Sequence, residues 1–249
     1  MLEGILTTLQ APDTHVVMTV VFFACMIRAI FGFGDVLVSV PILTLIIGPR
    51  IAVPLMGMIG ATNALLILLR ERRAVQWRPV RYLLMASVVG IPLGVLALKW
   101  LPERWIAVAL GALLIGFCTW TLAGRRTIRL ASPRWAWPFG FVAGCMGGAV
   151  TATGPPIVIY ATTQDWSPVE VRGTMQGFFL PNGAVILLAH ALAGLWIPQV
   201  WQTYLCALPV ILVALPIGAA LAGRLSAARF EQLTFVVLLG TGILLLVSG

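Results

Sequence analysis

The sequence predicts an all-α polytopic membrane protein made of two homologous four-segment halves, each opening with a broken or re-entrant helix. Three observations predict it. Of 249 residues, 60% are hydrophobic and only 10% charged, with a mean hydropathy of +1.03, whereas a soluble domain carries roughly 25% charged residues. Six apolar runs come close to the 20 or so residues that cross a hydrocarbon core of about 30 Å. Two further runs are overlong and interrupted near their middles, in corresponding places.

Residues 1–14 form an N-terminal tail. It lacks a positive stretch ahead of an apolar run and contains Glu3 and Asp13, so it does not read as a cleaved signal. The first transmembrane repeat covers 15–123. Its opening segment, 15–47, would be about 50 Å long as one helix and is interrupted by "FGFGD". Plain segments follow at 51–69, 80–98 and 105–123. Residues 124–134 are a basic linker expected in the cytoplasm. The second repeat, 135–249, begins with an overlong segment at 135–163, broken by "GGAVTATGPP", and continues with plain segments at 172–193, 200–222 and 230–247.

Residue spacing supports duplication, which is worth seeking before other patterns. Gly34 and Pro41 match Gly148 and Pro155 at an offset of 114, and Gly57 and Asn63 match Gly177 and Asn182 at 120 and 119. Trp77, Pro92, Gly94, Leu101 and Gly116 match Trp201, Pro216, Gly218, Leu225 and Gly240 at a constant 124. The offset changes mainly at connections, as loop insertions require.

The net charge of +8 is not a nucleic-acid footprint. Nine arginines lie in two short stretches, Arg70 to Arg81 and Gly124 to Arg134, which is the positive-inside pattern. Topology turns on the broken segments. If each crosses the membrane, the loops hold nine Lys and Arg on one side against six on the other, with Arg28 set aside. If each folds back as a hairpin, every Lys and Arg except Arg28, Arg50, Lys99 and Arg104 gathers on one side. The charge rule favours hairpins, although a version with only the second segment re-entrant scores equally well.

Unpaired backbone groups in hydrocarbon cost several kcal/mol each, so broken backbone survives only inside protein or along a watery cavity. Pro155 and Pro156 lack N–H groups, and together with the glycines they end a helix within the membrane and start another nearby. Exposed N–H groups and the positive dipole end at such a start attract an anion, with the hydroxyls of Thr151 and Thr153 alongside. In the first half Gly32 and Gly34 are the breakers, with Ser39 near Pro41. Two half-helix ends in corresponding places of two repeats form a transporter pattern; the plain alternative is a pair of packing kinks. Gly148, Gly154, Asn63 and Asn182 complete the candidate binding set.

For the asparagines, interhelical hydrogen bonding competes evenly with ligand contact. For Gln176 and His190 the packing reading is preferred. Arg28 and Asp35 are costly in a membrane and are functional candidates by default. They are seven residues apart, and either form a structural ion pair or divide the work, Arg28 holding an anion while Asp35 takes up a coupling proton. Cys25, Cys118, Cys145 and Cys206 lie in apolar segments without metal spacing, and His15 and His190 are too scattered for a metal site. No metal and no cofactor is expected.

At these residues the sequence resembles the TauE/SafE family of sulfite exporters. "GFGDVLVSVPIL", Gly32 to Leu43, is similar to the family's glycine-rich run followed by VPxL. "GFVAGCMGGAVTATGPPIVIY" from Gly140 is similar to its second-half signature, G-x₃-G-x₂-GG-x₅-GPP. Arg172 and Asn182 in "VEVRGTMQGFFLPN", and the "RRAVQW" loop, also resemble the family. The likeness departs at Asp35 and Val36, where the family often has two further glycines. The resemblance implies export of a small sulfur-containing anion, sulfite or an organosulfonate, across the cytoplasmic (inner) membrane. The expected partners are that small anionic substrate and membrane lipid, with no nucleic acid; a homodimer is compatible with the sequence. No GxxxxGK[ST] is present, so the reading is a secondary transporter, not an ATP-driven one. A passive anion channel and a membrane-embedded enzyme are the alternatives. The enzyme is disfavoured by one intramembrane acid and two distant histidines.

Overall fold

The computed structural model describes residues 12–122, 129–130, 132–222 and, near the C-terminus, 239–240, 242–244 and 246. Among them all regular structure is helical: α1 (Pro12–Phe31), α2 (Asp35–Ile47), α3 (Pro49–Glu71), α4 (Trp77–Trp100), α5 (Glu103–Leu122), α6 (Ala136–Val150), α7 (Gly154–Thr162), α8 (Pro168–Leu192) and α9 (Pro198–Ala222), with 3₁₀ turns at Arg72–Ala74 and Pro133–Trp135. Six of the helices are long and apolar enough to cross a membrane. Residues 1–11 of the N-terminal tail, most of the basic linker and most of the 230–247 segment lie outside the described residues, and residues 12–14 of the expected tail belong to α1.

Both overlong segments are broken. The first breaks at Gly32–Gly34, where Gly32 and Gly34 take φ of +83° and +99°, a region that L side chains adopt only under strain. The second breaks at Thr151–Thr153. The two devices differ from each other in one respect. Pro155 and Pro156 sit in the first turn of α7, but Pro41 lies inside α2, so the first break is made by glycine alone.

Contacts at the helix ends fix how the broken segments run. Leu130 N–H donates to the Thr163 carbonyl at 3.3 Å, Gln164 Nε2 donates to the Leu130 carbonyl, and Arg129 pairs with Asp165 at 3.1 Å. The two ends of the α6–α7 segment therefore meet, and the segment is a hairpin. Its open end lies beside the turn after α3, because Gln76 bonds Thr174 and Glu170 at the start of α8. That start is held by a capping box between Ser167 and Glu170. At the other end of the bundle, Arg50 reaches Glu103 at 3.9 Å, placing the exit of α2 with the α4–α5 turn. Exposed Trp77, Trp135 and Trp137 ring the first end and Trp100, Trp105 and Trp201 the second, as interfacial anchors do. With single cysteines introduced at Arg129 and Asp165 in a cysteine-free background, a membrane-impermeant thiol reagent should label both from the same side. Labelling from opposite sides would mean that α6–α7 crosses.

The helices pack closely on small residues. The most extensive contact is α4 with α6, followed by α1 with α9, α3 with α8 and α4 with α8. Most of the core is one apolar cluster from Val17 to Leu215 that includes α2 and the α7 residues Ile157 and Tyr160. Most of short α2 and α7 is thus buried against longer helices, as broken backbone requires.

Candidate functional site: where the two breaks meet

The breaks face each other. A Cβ on Gly154 would lie 3.6 Å from the Phe33 ring, and one cavity touches both. It is lined by Gly34, Asp35, Val36 and Leu37 at the start of α2 and by Thr151, Ala152, Thr153 and Gly154 at the start of α7. Two helix N-termini therefore converge on one space. The first N–H groups of a helix have no partner within it and carry the positive end of its dipole. The α2 terminus supplies N–H groups from Asp35, Val36 and Leu37. The α7 terminus supplies fewer than the sequence reading implied, since two of its first residues are prolines.

Room is made by α3 and α8, which contribute Gly57, Gly60, Ala61, Asn182 and Gly183. Small side chains at one face of α3 are the sequence signal for this wall. The cavity holds about 40 Å³, more than the roughly 10–15 Å³ of such space that one water needs. Thr151 has φ of +59°, a conformation that costs a β-branched residue of order 1–3 kcal/mol. Its hydroxyl donates to the Val53 carbonyl at 3.1 Å, which holds the strained residue against α3.

Arg28 and Asp35 are the charged residues on the wall, with 5% and 1% of their surface exposed. They form an ion pair, with Arg28 Nη1 at 3.0 and 3.2 Å from the two Asp35 oxygens. Asn63 Nδ2 donates to Asp35 Oδ2 at 3.2 Å. Arg28 Nη2 donates to Gln176 Oε1 at 2.9 Å, and Gln176 Nε2 donates to the Gly32 carbonyl at 2.6 Å. The guanidinium also lies 4.9 Å from the centre of the Phe179 ring, a cation–π distance. Arg28 Nε and Asn63 Oδ1 are buried without hydrogen-bond partners. Gln176, assigned to packing from sequence, is thus the clasp between Arg28 and the end of α1.

The remaining candidates are placed elsewhere. Ser39 is buried, and its hydroxyl donates to the Asp35 carbonyl of its own helix at 2.6 Å. Asn63 acts through Asp35. Asn182 lines the cavity and accepts from Ser87 Oγ. Gly32 backs the ion pair through its carbonyl. Gly148 belongs to the α4–α6 contact, and its carbonyl accepts from His190 Nε2 at 3.1 Å. Pro155 and Pro156 line a separate apolar groove with α5 and α6 residues, including Phe117 and Trp120. The four cysteines are unpaired thiols.

The site thus combines a buried arginine paired with a carboxylate and two helix N-termini on one cavity. The model of the sulfite exporter TauE/SafE family matches residues 17–245. The chain belongs to that family. A relative from Cupriavidus necator, named probable sulfite/organosulfonate exporter TauE, is 26% identical over 194 residues, covering 75% of this chain and 74% of that protein. No solved structure matches. This TauE/SafE member is a multi-pass membrane protein of an exporter family, as its sequence resemblance implied.

Proposed function

We propose that the protein is a secondary transporter that exports sulfite or a small organosulfonate across the cytoplasmic membrane coupled to proton movement. The observation that carries this reading is the convergence of both half-helix N-termini and Arg28 on one cavity. In the conformation described, Asp35 occupies the guanidinium. An entering oxyanion takes over those hydrogen bonds, because a charge-assisted pair with arginine suits any planar or tetrahedral oxyanion. The displaced carboxylate would then stand beside a second negative charge, so uptake of a proton by Asp35 accompanies loading. Gln176 and Gly32 tie the first break to α8. Movement of one half against the other changes this clasp and turns the site from one face to the other.

Purified protein in liposomes should show saturable flux of sulfite, and flux of sulfoacetate or taurine should report how large an organic group is accepted. A pH gradient should accelerate transport several-fold. Asp35→Asn should transport at a rate that the gradient no longer changes. Flux that never saturates would identify a passive channel, and equal gradient sensitivity in Asp35→Asn would remove the coupling role.

A further inference from the structure

A second cavity, about 420 Å³, lies between α1, α3 and α9 and is lined by Arg70 and Arg172 together with leucines such as Leu66, Leu69, Leu212 and Leu215. No acidic residue is among the described residues that line it. Leu69 and Leu212 are 61% and 60% exposed, so the apolar part of the groove opens outward to the bilayer. Arg70 stands in the last turn of α3 and Arg172 near the start of α8, at the end of the bundle where Gln76 joins those elements. Two guanidiniums at headgroup depth above a leucine trough match an anionic amphiphile: the arginines take phosphate oxygens and the leucines an acyl chain. A soluble anion would gain nothing from a trough open to lipid.

We propose that this groove binds one anionic phospholipid. The site has a direct route to the central cavity. The Arg172 side-chain stem packs against Gly32, with Cγ 3.4 Å from where a Cβ on Gly32 would stand. Gln176 follows one helical turn later on the same face of α8 and clasps Arg28 and Gly32. A lipid phosphate bound by Arg172 is therefore linked through one side chain to the first break and the clasp beside it.

The test uses delipidated protein in a neutral detergent and does not depend on the transport reading. Phosphatidylglycerol should raise Tm by several degrees, and phosphatidylcholine should not. Arg70→Gln with Arg172→Gln should lose more than half of that shift, and native mass spectrometry should show the corresponding loss of one retained phosphatidylglycerol. Arg70→Gln alone, at an exposed position, carries the same comparison if the double variant is unstable. The proposal is overturned if phosphatidylglycerol stabilises these variants as much as the parent protein, or if phosphatidylcholine does as well. It is also overturned if millimolar hexanesulfonate displaces phosphatidylglycerol from the parent protein, which would assign the groove to a soluble anion.

Discussion

Arg28→Gln is expected to abolish sulfite transport and to destabilise the protein by about 3–5 kcal/mol, the usual cost of removing one member of a buried ion pair. The loss is large because Arg28 and Asp35 are nearly inaccessible to solvent. Asp35 would keep a single side-chain donor, Asn63, and Gln176 Oε1 would lose its partner. Stability alone does not separate a structural pair from a substrate site, but the double variant does. Arg28→Gln with Asp35→Asn replaces both charges by amides of similar size. Its stability should recover much of the loss, because no lone buried charge remains. Its transport should stay absent, since the remaining helix dipoles carry only about half a unit charge each. The checks are thermal unfolding in detergent and sulfite flux in liposomes, run on the same three preparations. A double variant that transports sulfite normally would reduce Arg28 to a structural residue.

The parts of this site legible in the sequence were those with a local cause. Clustered glycines and Pro-Pro inside overlong apolar runs pointed to breaks, and the structure places a break in each run. Arg28 and Asp35 stood out because hydrocarbon penalises them. What was illegible depends on a partner far along the chain. Gln176 lies 148 residues from Arg28, and nothing in its own helix distinguishes a clasp from an interhelical hydrogen bond. Gly148 has the reverse history. It shares a motif with Gly154 and was read with the site, yet its role is contact with α4. A glycine run that opens a pocket and one that lets helices touch have the same letters. Between hairpin and crossing, charge alone favoured re-entry of the second segment and left the first open, and the bonds joining 129–130 to 163–165 agree with re-entry of the second.

That same glycine run leads to the second large effect expected. On α6, Gly140, Gly144 and Gly148 recur every four residues and so form one face. A Cβ at any of them would collide with the α4 backbone, at Leu83, Ser87 and Ile91 respectively. From the α4 side, Gly90 and Gly94 meet the α6 backbone at Phe141 and Cys145. Backbones in direct contact along a stripe of small residues are how helices associate in membranes, where apolar burial drives little. Gly94→Ala or Gly144→Ala should therefore cost about 3 kcal/mol, at the upper end of overpacking effects, because backbone cannot move aside as a flexible side chain does. Gly116→Ala provides the contrast. Nothing among the described residues comes within 4 Å of a Cβ there, and alanine gains up to about 1 kcal/mol of helix propensity over glycine. It should be neutral or stabilising in the same unfolding assay. The seam variants should also lose transport beyond their loss of folded protein. α6 ends at Thr151, so a helix pushed away from α4 carries the strained residue and the start of α7 out of the cavity. Unchanged flux per folded molecule in Gly144→Ala would show that the α7 terminus keeps its place without the seam, and would leave the α2 terminus and Arg28 to hold the anion.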